Sequence, residues 1–325
     1  MGNCIHLINY FRQGGAENVA YNYIKALNDL NINSTIVGKP HLERYEQTFA
    51  ELANVEYSLS DDMVEKADYI FIHSNQCLLK LLKYFGLIKK REIRVIYIQH
   101  LRYSERKFRL LSRLINMLCT DFVQITPITS TLIEKYIKIK IHFIVNFHIN
   151  KYNPNQWASI RAQVREKLNI PHDAIVVTYS GIFKPGKNVG EFIQLAKEMQ
   201  DNSDYKFLLI GDGVESDVVK AYKGKNLIWI GCVNDVEQYL IASNIYAFLS
   251  VFKMEMMPMA LIEAINTDKH IIAYPTEINK FLLAGKTFET IDRSTLFSNK
   301  LPSGSVLKHY DRAYAHESLQ KLLNL

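Results

Sequence analysis

Two glutamates, Glu255 and Glu263, stand with the seven residues Met-Met-Pro-Met-Ala-Leu-Ile between them, directly after a β-branched and aromatic run at 245–250. Pro258 suits a first helical turn, where its missing N–H would be unpaired anyway, so Glu255 is expected in a loop and Glu263 on a helix. A carboxylate accepts two hydrogen bonds at once, as the vicinal hydroxyls of a ribose or hexose require. A second group, Gly181-Ile182-Phe183-Lys184-Pro185-Gly186-Lys187-Asn188, also follows a strand-like run and precedes helical spacing. Glycine and proline shape a loop there, and two lysines supply compact positive charge that could neutralise a diphosphate at the following helix N-terminus. A third, Gln13-Gly14-Gly15-Ala16-Glu17, joins the opening run to a long helical segment. Its glycines permit close backbone approach to an anion, with a plain strand-to-helix turn as the alternative. Finally, His100 closes the run 94–99, and His73, Ser74 and Asn75 close the run before it. A histidine so placed can donate to a sugar hydroxyl or position a reacting group, or serve only as a structural partner.

Several chemistries find no motif: the sequence has no Walker A loop, HExxH, GxSxG or Asp-x-Asp. The cysteines Cys4, Cys77, Cys119 and Cys232 form no CxxC pair, so they are expected to be reduced core residues rather than a zinc site or disulfide framework. No metal and no other cofactor is expected. The start Met-Gly-Asn-Cys lacks the Ser or Thr at position six that myristoylation wants and has His6 instead.

Positioning these groups falls to short apolar runs that alternate with amphipathic segments from end to end, the pattern of parallel sheets with helices on both faces. Strands are predicted at 4–10, 33–38, 55–59, 68–73, 93–99, 122–126 and 141–146, then at 174–181, 205–210, 226–230, 245–250, 270–274 and 288–291. Helices fall between them, including one over 75–90. A chain of 325 residues divides naturally into two such domains, and the polar, proline-containing stretch from Asn146 to Asn155 marks the break. The expected division is 1–151, 152–309 and a terminal helix, 310–325, that crosses back to the first domain. Ligands of open α/β sheets bind outside the carboxyl ends of strands, where all four groups above are expected.

Charge is uneven: residues 1–150 carry 19 Lys and Arg against 14 Asp and Glu, whereas 151–325 carry 20 against 19. Between Lys83 and Arg113, ten basic residues meet only Glu92 and Glu105, a local field that favours a polyanionic partner. Over 104–119 the residues Phe108, Leu111, Leu114, Ile115 and Leu118 share one helical stripe, with Arg106, Lys107, Arg109 and Arg113 off it. That segment, with Arg102, is a candidate acceptor or anionic-membrane face, or else a packed helix with a solvated basic side. No run approaches the ~18 apolar residues of a membrane span, and no secretory signal pattern opens the chain, so a cytoplasmic protein, peripheral on the inner membrane face, is expected.

In this order the pieces resemble glycosyltransferase family 4, retaining enzymes of the GT-B type. The resemblance is carried by the stretch from Arg165 to Ala174, the loop Gly181 to Asn188, Leu209-Ile210-Gly211-Asp212-Gly213, Ile230-Gly231-Cys232-Val233, and Glu255 to Glu263 with Ala264. In the first domain it includes Gly14-Gly15-Ala16-Glu17 and, at the hinge, Val145 to Ile149. It implies two doubly wound Rossmann-like domains facing across a central cleft, and transfer from a UDP- or GDP-linked sugar with retention of configuration. The acceptor would be a glycan or lipid-linked molecule of bacterial surface polysaccharide synthesis. Lys187 would contact the diphosphate, Glu263 the ribose and Val233 the base through its backbone. Glu255 would sit under the transferred sugar, which His100 would face from the first domain. Gly14, Gly15, Gly181, Lys184 and Met257 complete the implied donor set. No protein nucleophile is needed, so the work is positioning and stabilising charge on the departing diphosphate. The sequence departs from the family at Ile182, where an arginine is usual, and at Met256-Met257-Pro258, where glycines with free N–H groups are usual. Lys184 can replace the missing charge but not the guanidinium fork. Two other readings stay open: a non-catalytic GT-B subunit that stabilises a partner transferase, and an epimerase or hydrolase of nucleotide sugars. A homo- or hetero-oligomer is compatible with each, and no nucleic acid partner is expected.

Overall fold

The computed structural model describes residues 2–12, 14–251, 255–284 and 310–325. The chain forms two compact units: unit 1 comprises Met1–Ile149, Met254–Met259 and Tyr310–Leu325, and unit 2 comprises Asn150–Lys253 and Ala260–His309.

Unit 1 alternates β1 (Gly2–Tyr10), α1 (Gly15–Asp29), β2 (Ile32–Lys39), α2 (Glu43–Ala50), β3 (Asn54–Glu56), α3 (Asp61–Lys66), β4 (Tyr69–Ile72), α4 (Asn75–Leu81), α5 (Phe85–Lys90), β5 (Arg94–Ile98), α6 (Glu105–Leu118), β6 (Asp121–Gln124), α7 (Ser130–Tyr136) and β7 (Lys140–Phe143). Its seven-stranded parallel sheet has the order β3-β2-β1-β4-β5-β6-β7. Strands covered on both faces need apolar residues at successive positions, and β1 buries Cys4 to Ile8 without a break. Ile5 and Leu7 pack with Ile72, Val95, Leu78 and Phe108, whereas Ile8 joins Phe11, Ile24 and Phe49 in a separate cluster. The helix predicted over 75–90 is interrupted by a 3-10 turn at Leu82–Tyr84, and α3 has no counterpart among the predicted elements.

Unit 2 contains α8 (Trp157–Lys167), β8 (Ile175–Ser180), α9 (Val189–Glu198), β9 (Tyr205–Ile210), α10 (Ser216–Ala221), β10 (Leu227–Gly231), α11 (Glu237–Ala242), β11 (Ile245–Phe248), α12 (Met259–Asn266), β12 (His270–Ala273) and α13 (Glu277–Leu282). The parallel order is β10-β9-β8-β11-β12. The strand predicted at 288–291 lies outside the described residues. Arg165 is fully buried and donates to the carbonyls of Ala242, Pro171, His172 and Ala174 at 2.9–3.0 Å and to Asn244 Oδ1 at 2.8 Å. Its guanidinium thereby ties the connection between α8 and β8 to the end of α11 and to Asn244.

The last helix, α14 (Arg312–Leu323), belongs to unit 1. Arg94 Nη2 donates to Leu322 O at 2.8 Å, while Arg312 and His316 both meet the Asp29 carboxylate at 3.0 Å. The Tyr314 hydroxyl accepts from Val145 N at 2.8 Å, and His148 N donates to Tyr310 O at 2.9 Å. With Asn22 Oδ1 accepting from Ile149 N, these bonds seat the stretch Val145–Ile149 on α1 and α14.

Candidate functional site

Strand order reverses direction between β1 and β4 in unit 1 and between β8 and β11 in unit 2. At such a switch point the adjacent crossovers leave to opposite faces, opening a crevice at the carboxyl ends. Gly14 and Gly15 follow β1, His73 follows β4, His100 follows β5, and Gly181 to Asn188 follow β8.

In unit 2 the loop after β8 is built on backbone. Phe183 is fully buried against Trp229, with ring centroids 6.3 Å apart, while its neighbour Ile182 stays 44% exposed. The burial pulls the loop onto the turn after β9: Phe183 N donates to Asp212 O at 2.9 Å and Glu215 N to Phe183 O at 3.2 Å. This approach needs glycine at 211 and 213. A Cβ on Gly211 (φ +127°) would stand 1.9 Å from Gly181 O, and one on Gly213 (φ +158°) 2.3 Å from Phe183 O. The loop closes with Lys187 N donating to Lys184 O at 3.0 Å, Val251 N to Gly186 O at 2.9 Å and the Tyr179 hydroxyl to Lys187 O at 3.0 Å. Asn188, left-handed at φ 58°, stands at the N-cap position of α9 without a side-chain capping bond and instead donates through Nδ2 to Leu249 O at 3.0 Å. Sequence reasoning gave Asn188 no role of its own; an asparagine before an apolar helix was the available signal. Lys187 Nζ lies 6.0 Å from the Phe248 ring centroid. The Asp212 carboxyl accepts from Ser216 Oγ and from Gly213 N, and those bonds lower its pKa.

Val233 is half-buried after β10, beside the left-handed Gly231. Glu263 is half-buried on α12 in unit 2, but Glu255 and Met257 lie in the segment that groups with unit 1. There Met256 and Met257 are buried, and Met257 O accepts from Asn146 Nδ2 at 3.1 Å. The expectation that all four cysteines are core residues is corrected: Cys4, Cys77 and Cys119 are buried, but Cys232, beyond the end of β10, is exposed.

In unit 1 the space over Gly14 is filled from within. A Cβ there would meet Glu17 Oε2 at 2.2 Å, and that buried carboxylate also takes a bond from Arg12 Nε at 3.3 Å. Desolvation raises the Glu17 pKa. The side-chain oxygens of Asn9 and Gln99, near the carboxyl ends of β1 and β5, are buried with no hydrogen-bond partner among the described residues. His100 is half-buried, and its Nε2 lies 3.3 Å from His73 Nδ1.

On α6, Phe108, Ile115 and Leu118 are buried and Leu111 and Leu114 half-buried, so the predicted apolar stripe faces the core. Arg102, Arg106, Lys107, Arg109 and Arg113 are exposed, together with Leu101, Leu110 (55%) and Met117 (41%). Among the described residues no helix is long and apolar enough to cross a membrane.

Two doubly wound parallel units, each with a switch point in its strand order, define a two-domain α/β protein of the GT-B fold. Residues 160–284 match the family model described as glycosyl transferases group 1. Among solved structures the chain is similar to HepE of Anabaena in complex with UDP and glucose, at 16% identity and TM-score 0.66 over 87% of this chain and 83% of that one. It is also similar to sucrose-phosphate synthase of Thermosynechococcus elongatus, at 13% identity and TM-score 0.60 over 100% and 90%. The catalytic domain of starch synthase IV of Arabidopsis thaliana, bound to ADP and acarbose, aligns at 10% identity and TM-score 0.59 over 99% and 91%. Among curated proteins none matches the sequence.

Proposed function

We propose that the protein is a glycosyltransferase that takes a sugar from a nucleotide-sugar donor, with retention of configuration and without a metal ion, and passes it to a glycan or lipid-linked acceptor. One observation carries this reading: the loop Gly181–Asn188 is clamped backbone to backbone against Gly211–Gly213 at the switch point and runs straight into α9. Such an arrangement presents N–H groups and the Lys184 and Lys187 charges to a leaving diphosphate without reorganisation during the reaction. The family match spans this loop, and two of the similar structures hold nucleoside diphosphates. Lys187 then stabilises the departing diphosphate, Glu263 binds the ribose, Val233 the base, and Glu255 and His100 act on the transferred sugar. Production of a surface polysaccharide at the inner membrane face is the role proposed for it.

Incubation with UDP- and GDP-linked sugars, with and without a lipid-linked acceptor, tests the reading. Transfer that survives EDTA is expected. Turnover only to free sugar or to an epimer would replace transferase with hydrolase or epimerase, and nucleotide binding without turnover would favour a non-catalytic subunit. Loss of transfer in EDTA with rescue by Mn²⁺ would overturn the metal-free diphosphate site.

A further inference from the structure

Three imidazoles lie in a row through unit 1, one from each of the neighbouring strands or strand ends of β1, β4 and β5. His6 Nδ1 is 3.1 Å from His73 Nε2, and His73 Nδ1 is 3.3 Å from His100 Nε2. The rings are nearly parallel, tilted by 24° and 15°, with centroids 5.4 and 5.5 Å apart, the spacing of imidazoles joined edge to edge through one N–H···N contact. Phe71 stacks on His6 and Tyr23 meets His73 edge-on, so the row is walled by aromatic carbon. Beyond His6 it continues to Cys4 Sγ, 3.4 Å from His6 Nε2, and from that sulfur to Ser34 Oγ at 3.2 Å. Cys4, His6, Ser34 and His73 are all buried, and His100 alone is half-buried.

A row of neutral imidazoles has one proton for each contact. Burial keeps these rings neutral, lowering His6 to about 3 and His100 to about 4, with His73 lowered well below its ordinary value. Any reversal inside the row would set two N–H groups or two lone pairs against each other, so all protons point toward His100 or all point away. The far end decides between the two. Burial pushes the Cys4 thiol up to about 12, so the sulfur carries its proton. Sulfur is a weak acceptor and an imidazole nitrogen a good one, so S–H donating to His6 Nε2 is the better pairing, with Ser34 donating in turn to the sulfur. The row then runs from Ser34 to His100.

We propose that His6 and His73 are positioning residues that hold His100 as its Nδ1–H tautomer, so that the ring offers an N–H to a ligand oxygen at the carboxyl edge of the unit 1 sheet. The identity of that oxygen, a hydroxyl of the transferred sugar, rests on the transferase reading; the tautomer does not. Long-range proton–nitrogen spectra of the ¹⁵N-histidine-labelled protein test it, with His100 assigned from the spectrum of His100→Gln. The expected result is a pyrrole-type Nδ1 and a pyridine-type Nε2 on all three rings. His73→Phe keeps a flat ring in the row but removes both nitrogens. It should move the His100 signals toward the Nε2–H form and lower kcat on the order of tenfold, while donor KM and nucleoside diphosphate binding change by less than about twofold. Should that variant fold poorly, Cys4→Ala, which removes the S–H donor to His6 Nε2 and leaves the three rings in place, should move the same signals in the same direction. A His100 that carries its proton on Nε2 in the wild-type protein, or signals unmoved in the variants, would overturn the proposal. An Nδ1–H His100 that shifts as expected in a protein that turns over no nucleotide sugar would sink the transferase reading and leave the row standing.

Discussion

Lys184 and Lys187 stand three residues apart in one loop that their own main chains help to close. Lys187 N donates to Lys184 O, and the Tyr179 hydroxyl donates to Lys187 O. A charge whose main chain is fixed before the reaction stabilises a developing oxyanion at little reorganisation cost. Lys187→Ala is therefore expected to lower kcat by on the order of 10² to 10³, and Lys184→Ala to do so more mildly, with unchanged thermal denaturation. Ile182 is exposed beside them, so Ile182→Arg has room for its side chain and should partly rescue Lys184→Ala. Steady-state rates of the four proteins decide the matter, and full activity in both alanine variants would remove the loop from the diphosphate site.

At the scale of elements, most of the alternation was legible because a strand buried on both faces and an amphipathic helix print their period in the sequence. All seven strands of unit 1 were legible from the alternation, although β3 and β7 are largely exposed. What escaped were features set by neighbours. Helix α3 has six residues and starts on the Ser60 cap, which accepts from Met63 N at 3.3 Å, too short a segment to show a period. The histidine row could not be read because it depends on β1 lying beside β4, not only beside β2, and His6 in the run Cys-Ile-His-Leu-Ile looks like an isolated polar residue of a strand. The close approach of Gly211 and Gly213 to the loop after β8 likewise belongs to the packing. Helix α6 had its apolar stripe legible but not its outward apolar residues. With the stripe spent on the core, any membrane contact falls to the outer face, where Leu110 and Met117 lie among exposed arginines. Flotation with vesicles containing anionic lipid should show binding that falls with salt, at about 1 kcal/mol per basic residue. Arg106→Glu with Arg109→Glu should weaken it, and equal binding to neutral vesicles would dismiss α6 as a membrane face.

For the whole molecule the buried imidazoles set an acid limit on unit 1. In the unfolded chain they bind protons near pH ~6.5, but His100 does so natively only near 4 and His6 near 3. Their stabilising effect is thus complete above pH ~6.5 and is lost as pH falls toward those native values, because the unfolded state takes up protons that the native state refuses. The expected slope is roughly 1.4 kcal/mol per pH unit for each proton. Both tryptophans, Trp157 and Trp229, lie in unit 2, so fluorescence follows that unit, and hydrogen exchange in β1, β4 and β5 follows unit 1. Protection in those strands should fall between pH 7 and 5, less steeply in His73→Phe; protection constant over that range would contradict neutral burial.

The seating of α14 on unit 1 has a consequence for how the protein is made. Asp29 waits for Arg312 and His316, and Arg94 for Leu322 O, across more than two hundred residues of chain that include all of unit 2. During synthesis the first half leaves the ribosome without the helix that completes it, so unit 2 can fold while unit 1 still exposes the apolar side of α1 on which α14 will sit. At translation speeds of roughly 5 to 20 residues per second that interval lasts about ten to forty seconds. The order of emergence is therefore not the order of completion, and a nascent chain stalled before residue 310 would carry a first unit still lacking α14.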